Sequence, residues 1–455
     1  MIGQPFSWKS VSSLFVDPVT SEKRFLLKQR WDGLGPEVKL PTQGLGQKAT
    51  GCGATIGIQP RCDFACTGCY LGEEANHIPA LPLDAILRQL DALRAFLGPK
   101  SNVQITDGEV TLRPVEELIE VLRYARSIGV VPMVMTHGDN LRRQPGLLER
   151  LMQEGHLTEI SIHIDITQRG RDGYRSPRSE MELMPLRDEF ASMIRKARAL
   201  TGRRLRAAMT LTVTDQNVSQ VGDIVRWTIA NRDAFSLISF QPLAQVGRTR
   251  KNLHGIEAGG LWSEIAKVVA EFGVEIQGTG PMHFGHPDCT RFVPLLAVEK
   301  KGEPVRLMQL IRDTPEDVDV MTEFFQKGLG GIAFRDDRAV EMVARAAGIL
   351  RLQPRWLLGR VRRWVNGKLM QAIGMRFLPL LAAGLRKRVR VDGITLTSHH
   401  FMDAAEIITP VGQLRLAACV FRLPVNGEMV PMCRVNAGGV REEFYAGIPA
   451  AQTTH

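Results

Sequence analysis

Three cysteines fall close together in the stretch RCDFACTGCYLGEEA (61–75): Cys62, Cys66 and Cys69, in a C-x3-C-x2-C pattern with Tyr70 directly behind. Iron–sulfur clusters are held by cysteine thiolates, and a four-iron cluster has four corners to fill. Three thiolates therefore leave one iron open, as catalytic metal sites keep a position for substrate. A structural zinc would ask for a fourth Cys or His nearby, and none follows within the loop after Cys69. Four further cysteines, Cys52, Cys289, Cys419 and Cys433, are the number that would fully ligate one more cluster. Cys419 and Cys433 flank LPVNGEMVP, which reads as a hairpin bringing them together. The expectation is an auxiliary four-iron cluster, with zinc on the same four thiols as the alternative and small buried hydrophobes as the plain one.

The surrounding pattern says what must position these thiols. Strand-like apolar runs occur at 54–59, 102–109, 131–137, 159–165, 205–213 and 235–241, and helix-period segments at 81–98, 115–129, 145–155, 183–200 and 218–232 lie between them. Such alternation argues for parallel βα units. The expected class is α/β, a partial TIM-type (βα)6 barrel with a C-terminal extension. Chemistry in such barrels sits at the C-terminal ends of the strands, and the three cysteines follow the first strand directly. The expected organisation is a leader segment (1–51), a core barrel (52–280) and an extension (281–455) that carries the basic segment and the later cysteines.

Composition places limits on function. With 44% hydrophobic and 23% charged residues, the 455-residue chain belongs with folded proteins. Seven cysteines, an odd number with no secretory leader ahead of them, fit reduced thiols in the cytoplasm. The net charge of +10 is concentrated: no acidic residue occurs between Glu341 and Asp392, while twelve Lys and Arg residues run from Arg345 to Arg390. Leu, Trp and Met residues alternate with these cations at roughly helical spacing, as in a basic helix lying on a membrane surface. A solvated helical hairpin packed on the core is the other reading. The aromatics Trp356, Trp364 and Phe377 sit among long aliphatics, which suits acyl chains better than bases, so no nucleic acid is expected.

The cysteine loop after strand one of an apparent βα barrel resembles the radical S-adenosylmethionine (SAM) superfamily. That resemblance implies a [4Fe–4S] cluster on Cys62, Cys66 and Cys69 whose open iron is chelated by SAM. It further implies reductive cleavage of SAM to a 5′-deoxyadenosyl radical that abstracts hydrogen from an unactivated carbon. TDGEVTL (106–112) stands where the family has a Gly-Gly-Glu-Pro turn for the SAM ammonium; Gly108 and Glu109 match, whereas Asp107 and Val110 depart. Tyr70 behind the last cysteine, Thr136 in a Thr-His-Gly turn, His163 and Asp165 after strand four, and Gln241 and Arg248 in FQPLAQVGR complete the implied cofactor set. HHFMDA (399–404) and CVFRLPVNGEMVPMCRVN (419–436) resemble a branch that includes tetraether lipid synthase and related radical SAM methylase-like proteins. Residues 1–51 lack the branch's cysteine-rich segment, and Phe421 and Arg422 replace a His-Tyr pair.

The leading expectation is C–C bond formation or alkylation at a C–H bond of a lipid or other apolar substrate. A reductant such as flavodoxin or ferredoxin would supply the electron, and residues 345–390 would make peripheral contact with the inner membrane face. The alternatives are the same chemistry, methylation included, on a soluble pterin-like or peptide substrate, and a non-enzymatic iron–sulfur sensor.

Overall fold

A computed structural model describes residues 8–276, 282–332 and 337–448. The boundary expected near residue 280 lies outside the described residues. Beyond β1 (Cys52–Gly53), the strands β2 (Asn102–Ile105), β3 (Val131–Thr136), β4 (Glu159–His163), β5 (Arg206–Val213) and β6 (Phe235–Pro242) pair in sequence order, all parallel. Their near-continuous apolar runs are what a parallel sheet covered on both faces requires. Helices Leu83–Leu97, Val115–Ser127, Met184–Thr201 and Val221–Ala230 cover the outside. In the first of these, Ile86, Leu90, Leu93 and Leu97 form one buried stripe at helical spacing. The expected single helix at 145–155 is instead two short ones, Asp139–Arg143 and Leu147–Gln153, separated by Gly146 at φ +90°. The α/β partial barrel expected from the alternation is the architecture found.

The first strand differs from its expected course. Ladder pairing stops at Ala54, which bridges Gln104 in parallel, and at Thr55, whose N–H donates to the Gln104 carbonyl at 3.0 Å. Ile56 next has its N–H and C=O taken by the side-chain amide of Gln89, at 2.9 and 2.8 Å. The Gln89 side chain stands in for a neighbouring strand, and residues 56–61 leave the sheet early to run toward the cysteine loop.

The extension completes the sheet. β7 (Thr290–Lys300), β8 (Arg306–Gln309) and β9 (Val389–His399) continue it in the order β6-β9-β7-β8, with β9 parallel to β6. Arg232 locks this join by pairing with Asp392 on β9 and Glu299 on β7. The expected hairpin is present as β10 (Phe421–Val425) and β11 (Glu428–Pro431), turned at Asn426 and Gly427 with φ of 51° and 85°. β1 pairs in parallel with β10, so the strand leading to the cysteine loop belongs to both sheets.

Part of the basic segment is internal. Arg345 is buried against Asp337 and donates to the Pro18 carbonyl. Lys368, Arg312 and Trp364 converge on fully buried Asp317, and Arg360 faces Glu316, Asp319 and Glu323. The acids missing from 342–391 are supplied by the helix Pro315–Gln326 and by Asp337. For these cations the packed-hairpin reading holds.

Just past the end of β4, fully buried Glu180 pairs with equally buried Arg187. Glu180 also accepts from Ile166 N–H and Asn217 Nδ2, while Arg187 donates to the Ile164 carbonyl. This pair fixes the backbone on both sides of Asp165. Breaking a buried pair strands its partner at a cost of about 3–5 kcal/mol. Arg187→Met is therefore expected to lose about that much in urea-induced unfolding, and Arg187→Met/Glu180→Gln to recover part of it.

Candidate active site

The cysteine loop is held from three directions. Ala65 and Thr67, the residues flanking Cys66, donate their N–H groups to the carbonyls of Arg169 and Thr167 at 3.0 and 2.8 Å. From the β6 side, Arg248 and Arg250 donate N–H to Leu71 and Thr67 at 2.9 Å each. Gly247, at φ +56°, presses so closely that a Cβ there would lie 2.4 Å from the Tyr70 carbonyl carbon and oxygen. From β2, Glu109 N–H reaches the Arg61 carbonyl at 3.0 Å, and a Cβ on Gly108 would lie within 2.5 Å of the carbonyl oxygens of Gln59, Pro60 and Arg61. Only glycine fits at either place.

Cys62, Cys66 and Cys69 are all half-buried and free. Burial and the neighbouring thiol raise the Cys62 thiol, and burial pushes Cys66 up to about 12. The three thiols face Arg248; burial works against its charge, but Cys69, Cys62 and Cys66 outweigh this and raise its pKa. Its Nε is buried with no hydrogen-bond partner among the described residues. A tetrahedral zinc with bonds of about 2.3 Å would draw its sulfurs to about 3.8 Å apart. Among the described residues the group of Cys, His, Asp and Glu atoms mutually within 4.8 Å is Cys62, Asp63 and His137, not the three cysteines. Three spaced thiols around an orphaned arginine nitrogen fit an anionic multi-iron cluster better than one small ion.

Asp63 and His137 have another task. His137 accepts from Asp139 N–H at Nδ1 (3.1 Å), which assigns its proton to Nε2, 2.8 Å from Asp63. Its ring stacks on Phe64 with centroids 3.7 Å apart and planes 2° from parallel. Burial would raise the Asp63 carboxyl, but bonds from His137 and Arg143 hold it well below the usual carboxylate range. Buried Arg171 donates to the carbonyls of His137 and His163 at 2.7 and 3.0 Å and lies over the Phe64 ring. The ends of β3 and β4 are thereby stapled to the cysteine loop.

Glu109 is 1% exposed, and protein donors occupy it. Oε1 accepts from Thr111 N–H (3.1 Å), Thr111 Oγ1 (2.5 Å) and Thr136 Oγ1 (2.6 Å); Oε2 accepts from His137 N–H at 2.8 Å. A carboxylate offers about four acceptor sites, so this one clamps the β2 turn to the end of β3. Thr136, expected beside the cofactor, enters the site through that clamp.

Deeper in the barrel, Asp165 is fully buried and accepts from Thr167 and from Thr212 N–H. Burial would raise it, but contact with His163 lowers it instead. His163 Nε2 lies 2.6 Å from Asp165 and 3.1 Å from Thr212 Oγ1, with the side chain 32% exposed. Gln241 pairs with Thr212 across β5 and β6 and is half-buried. The structure thus gathers His163, Asp165, Thr212 and Gln241 on and just past adjoining strands, with Cys66 close enough to feel both Asp165 and Arg248.

Asp107 explains its departure from the turn motif. It adopts φ 138°, a region that glycine enters freely and other residues at a cost. Its carboxylate accepts from Gly57 N–H (2.5 Å), Arg441 Nη1 (2.5 Å) and Tyr445 OH (2.6 Å). The Arg441 guanidinium lies 4.7 Å from the Tyr70 ring centroid and donates to Asn436. Tyr70, expected at the cofactor, packs in this cluster. Sequence spacing carries no signal of a pair 334 residues apart.

Of the remaining cysteines, Cys289, Cys419 and Cys433 come together. Cys433 is pushed up to about 12 by burial first and then by the facing Cys419 and Cys289 thiols. Cys52 lies on the adjacent strand opposite Phe421, with its residue exposed. Cations surround the group: Arg415 Nε is 3.3 Å from Cys289 Sγ, Arg30 donates to the Cys419 carbonyl at 2.6 Å, and the Arg422 guanidinium lies near Cys419. Arg30 Nε, Arg422 Nε and His400 Nε2 are buried without hydrogen-bond partners among the described residues. Donors gathered around thiols and lacking acceptors are what an anionic cluster would satisfy.

Comparison with known proteins gives a match to the Radical SAM superfamily over residues 56–228. The chain is 24% identical over 202 residues to 7,8-dihydro-6-hydroxymethylpterin dimethyltransferase of Methanocaldococcus jannaschii, covering 44% of this chain and 38% of that protein. It is 29% identical over 201 residues to GTP 3′,8-cyclase 1 of Pseudomonas aeruginosa, covering 43% and 56%. The chain thus spans about half or less of these relatives' lengths. Among solved structures, Streptococcus suis SuiB aligns with a TM-score of 0.36 at 16% identity, over 49% of this chain and 46% of that one. Native anSMEcpe with bound AdoMet aligns with a TM-score of 0.34 at 12% identity, over 49% and 60%.

Two outcomes follow from the geometry. Glu109→Gln places an NH2 among donors, so SAM affinity and thermal stability should fall together, read by calorimetry on the cluster-loaded protein; a loss of affinity alone would make Glu109 a ligand rather than a clamp. Asp107→Gly relieves backbone strain but leaves Arg441 buried and unpaired, for a net loss of about 2 kcal/mol. Adding Arg441→Met should restore much of that stability, as measured by chemical denaturation.

Proposed function

We propose, for a chain whose residues 56–228 belong to the radical SAM superfamily, that it is an enzyme of reductive SAM cleavage acting on an unactivated C–H bond. Cys62, Cys66 and Cys69 would hold the [4Fe–4S] cluster. The observation that carries this is the triply pinned cysteine loop facing Arg248, whose buried Nε lacks a protein acceptor among the described residues. When bound, the cluster and SAM supply the 5′-deoxyadenosyl radical that removes hydrogen from substrate. The chain's own residues fix the loop, balance its charge through Arg248, and present polar groups inside the barrel. A reductant such as flavodoxin or ferredoxin would deliver the electron, in the cytoplasm.

For the substrate, the soluble alternative, modification or methylation of a pterin-like heterocycle, has the better support. Two relatives carry a pterin and a guanine nucleotide in their names, and both molecules contain a fused nitrogen heterocycle. His163 and Gln241, half-buried on adjoining strands with Thr212, offer hydrogen bonds that an alkyl chain could not use. The lipid reading keeps one observation in its favour, an exposed apolar helix taken up below. Cys289, Cys419 and Cys433, with Cys52 one strand away, would hold the auxiliary four-iron cluster.

Anaerobically reconstituted protein with dithionite and SAM should release 5′-deoxyadenosine, and a Cys62→Ala/Cys66→Ala/Cys69→Ala variant should release none. That variant should retain about four irons per chain if the second cysteine group holds its own cluster. Transfer of deuterium from a labelled reduced pterin into 5′-deoxyadenosine would support the heterocycle reading. Transfer from a labelled acyl lipid instead would return the lipid reading.

A further inference from the structure

We propose that the helix Phe377–Leu385 and the cations around it dock the protein on an anionic bilayer surface, independently of which substrate the barrel takes. The sequence FLPLLAAGL contains no charged residue, and no residue of this helix is buried. Phe377, Leu378, Leu381 and Leu385 are exposed by 49%, 72%, 51% and 80%. At about 100° per residue these four fall within a single arc of about 100°. Leu380 and Ala383 point the other way and pack with Val365, Ala372 and Met375 on the protein. One face is therefore seated, and the opposite face is an uninterrupted apolar ridge. Leu358 and Met370, from the preceding helical turns, are also exposed, by 54% and 47%.

The charges around this ridge select its partner. Arg376 caps the helix at its start, and Arg386, Lys387 and Arg388 follow its end directly. All four are exposed, as are Arg362 and Arg363, which precede the Asn366 side chain that accepts from Phe377 N–H at 2.8 Å. None of these six forms an ion pair with the described residues. They contrast with Arg345 and Lys368 of the same segment, which face buried acids, and with Arg360, which faces acids on the protein's own surface. The segment is thus sorted into cations that pack and cations that face out, and those facing out flank the exposed apolar helix. An apolar ridge between clusters of free cations fits the boundary between acyl chains and anionic headgroups. A second copy of this chain would bring the same cations against each other, so self-association is disfavoured by charge. Among the described residues no helix is long and apolar enough to cross a membrane, so this contact would lie in the plane of the surface.

The test is sedimentation of the full-length, cluster-loaded protein with vesicles of phosphatidylglycerol and phosphatidylcholine, compared with phosphatidylcholine alone. Binding is expected to the mixed vesicles, with at least roughly tenfold less to the neutral ones. It should fall as salt rises toward about 1 M, where the screening length shrinks to about 3 Å. Arg386→Gln/Lys387→Gln/Arg388→Gln should weaken binding about a hundredfold, since each cation near an anionic surface contributes about a fivefold factor. Leu378→Gln/Leu381→Gln/Leu385→Gln, which keeps every charge, should weaken it at least roughly tenfold. Both variants should melt and cleave SAM as the parent does. Equal recovery with mixed, neutral and no vesicles would overturn the proposal. So would binding that survives the leucine variant, or a dimer in size exclusion that the leucine variant dissolves.

Discussion

A single guanidinium connects the turn after β2, the end of the cysteine loop and the helix that carries Cys433. Arg441 is 1% exposed, pairs with Asp107 on the β2 turn, lies over the ring of Tyr70 behind the last loop cysteine, and donates to Asn436. Asn436 sits on the short helix that carries Cys433. A charge so deeply buried is tolerable only when paired and hydrogen-bonded. Each of its partners is therefore obliged to stay in place. Asp107 holds a backbone conformation better suited to glycine, and the strain is offset by three strong bonds to its carboxylate.

Charge organises the two cysteine groups in the same way. Around the loop cysteines stands Arg248; around Cys289, Cys419 and Cys433 stand Arg30, Arg415 and Arg422. Several of these arginines have a buried Nε without a partner among the described residues, although most buried donors in folded proteins find one. Burial without satisfaction is costly, about 1–3 kcal/mol for each group. Three of these atoms, on Arg30, Arg248 and Arg422, lie by cysteines, where the sulfurs of a bound anionic cluster would be acceptors, whereas those on Arg113 and Arg187 lie elsewhere.

What the sequence discloses follows from what is local. Apolar periodicity locates β3 to β6 and most of the covering helices, because each strand is buried along its own length. Cysteine spacing locates the loop, and Gly108 is legible because the turn sits next to it. Asp107 looks like a blemish in a motif, since its partners Arg441 and Tyr445 are distant in the chain. The first strand leaves its apolar pattern because Ile56 is satisfied by the Gln89 side chain, a substitution invisible to hydropathy. The basic segment reads as one object for a similar reason. Composition does not tell Lys368, paired with buried Asp317, from Lys387, which has no acid to face among the described residues.

The join between the two sheets carries the remaining consequence. Residues 52–61 run from Cys52, paired beside β10, through the Ala54 bridge to β2, and on to the carbonyls that meet Gly108. That is one mechanical link between the second cysteine group and the loop cysteines. Arg441 supplies another, from the Cys433 helix to Asp107 and Tyr70. Two links between the same two bodies remove the hinge that either alone would leave. Two bodies tied at two points hold a fixed separation without needing a large apolar interface. The cluster of apolar residues between them, around Ile56, Leu71, Leu423 and Tyr445, is correspondingly small. In this corner of the fold, directional polar contacts set the geometry, and hydrophobic burial fills the space they leave.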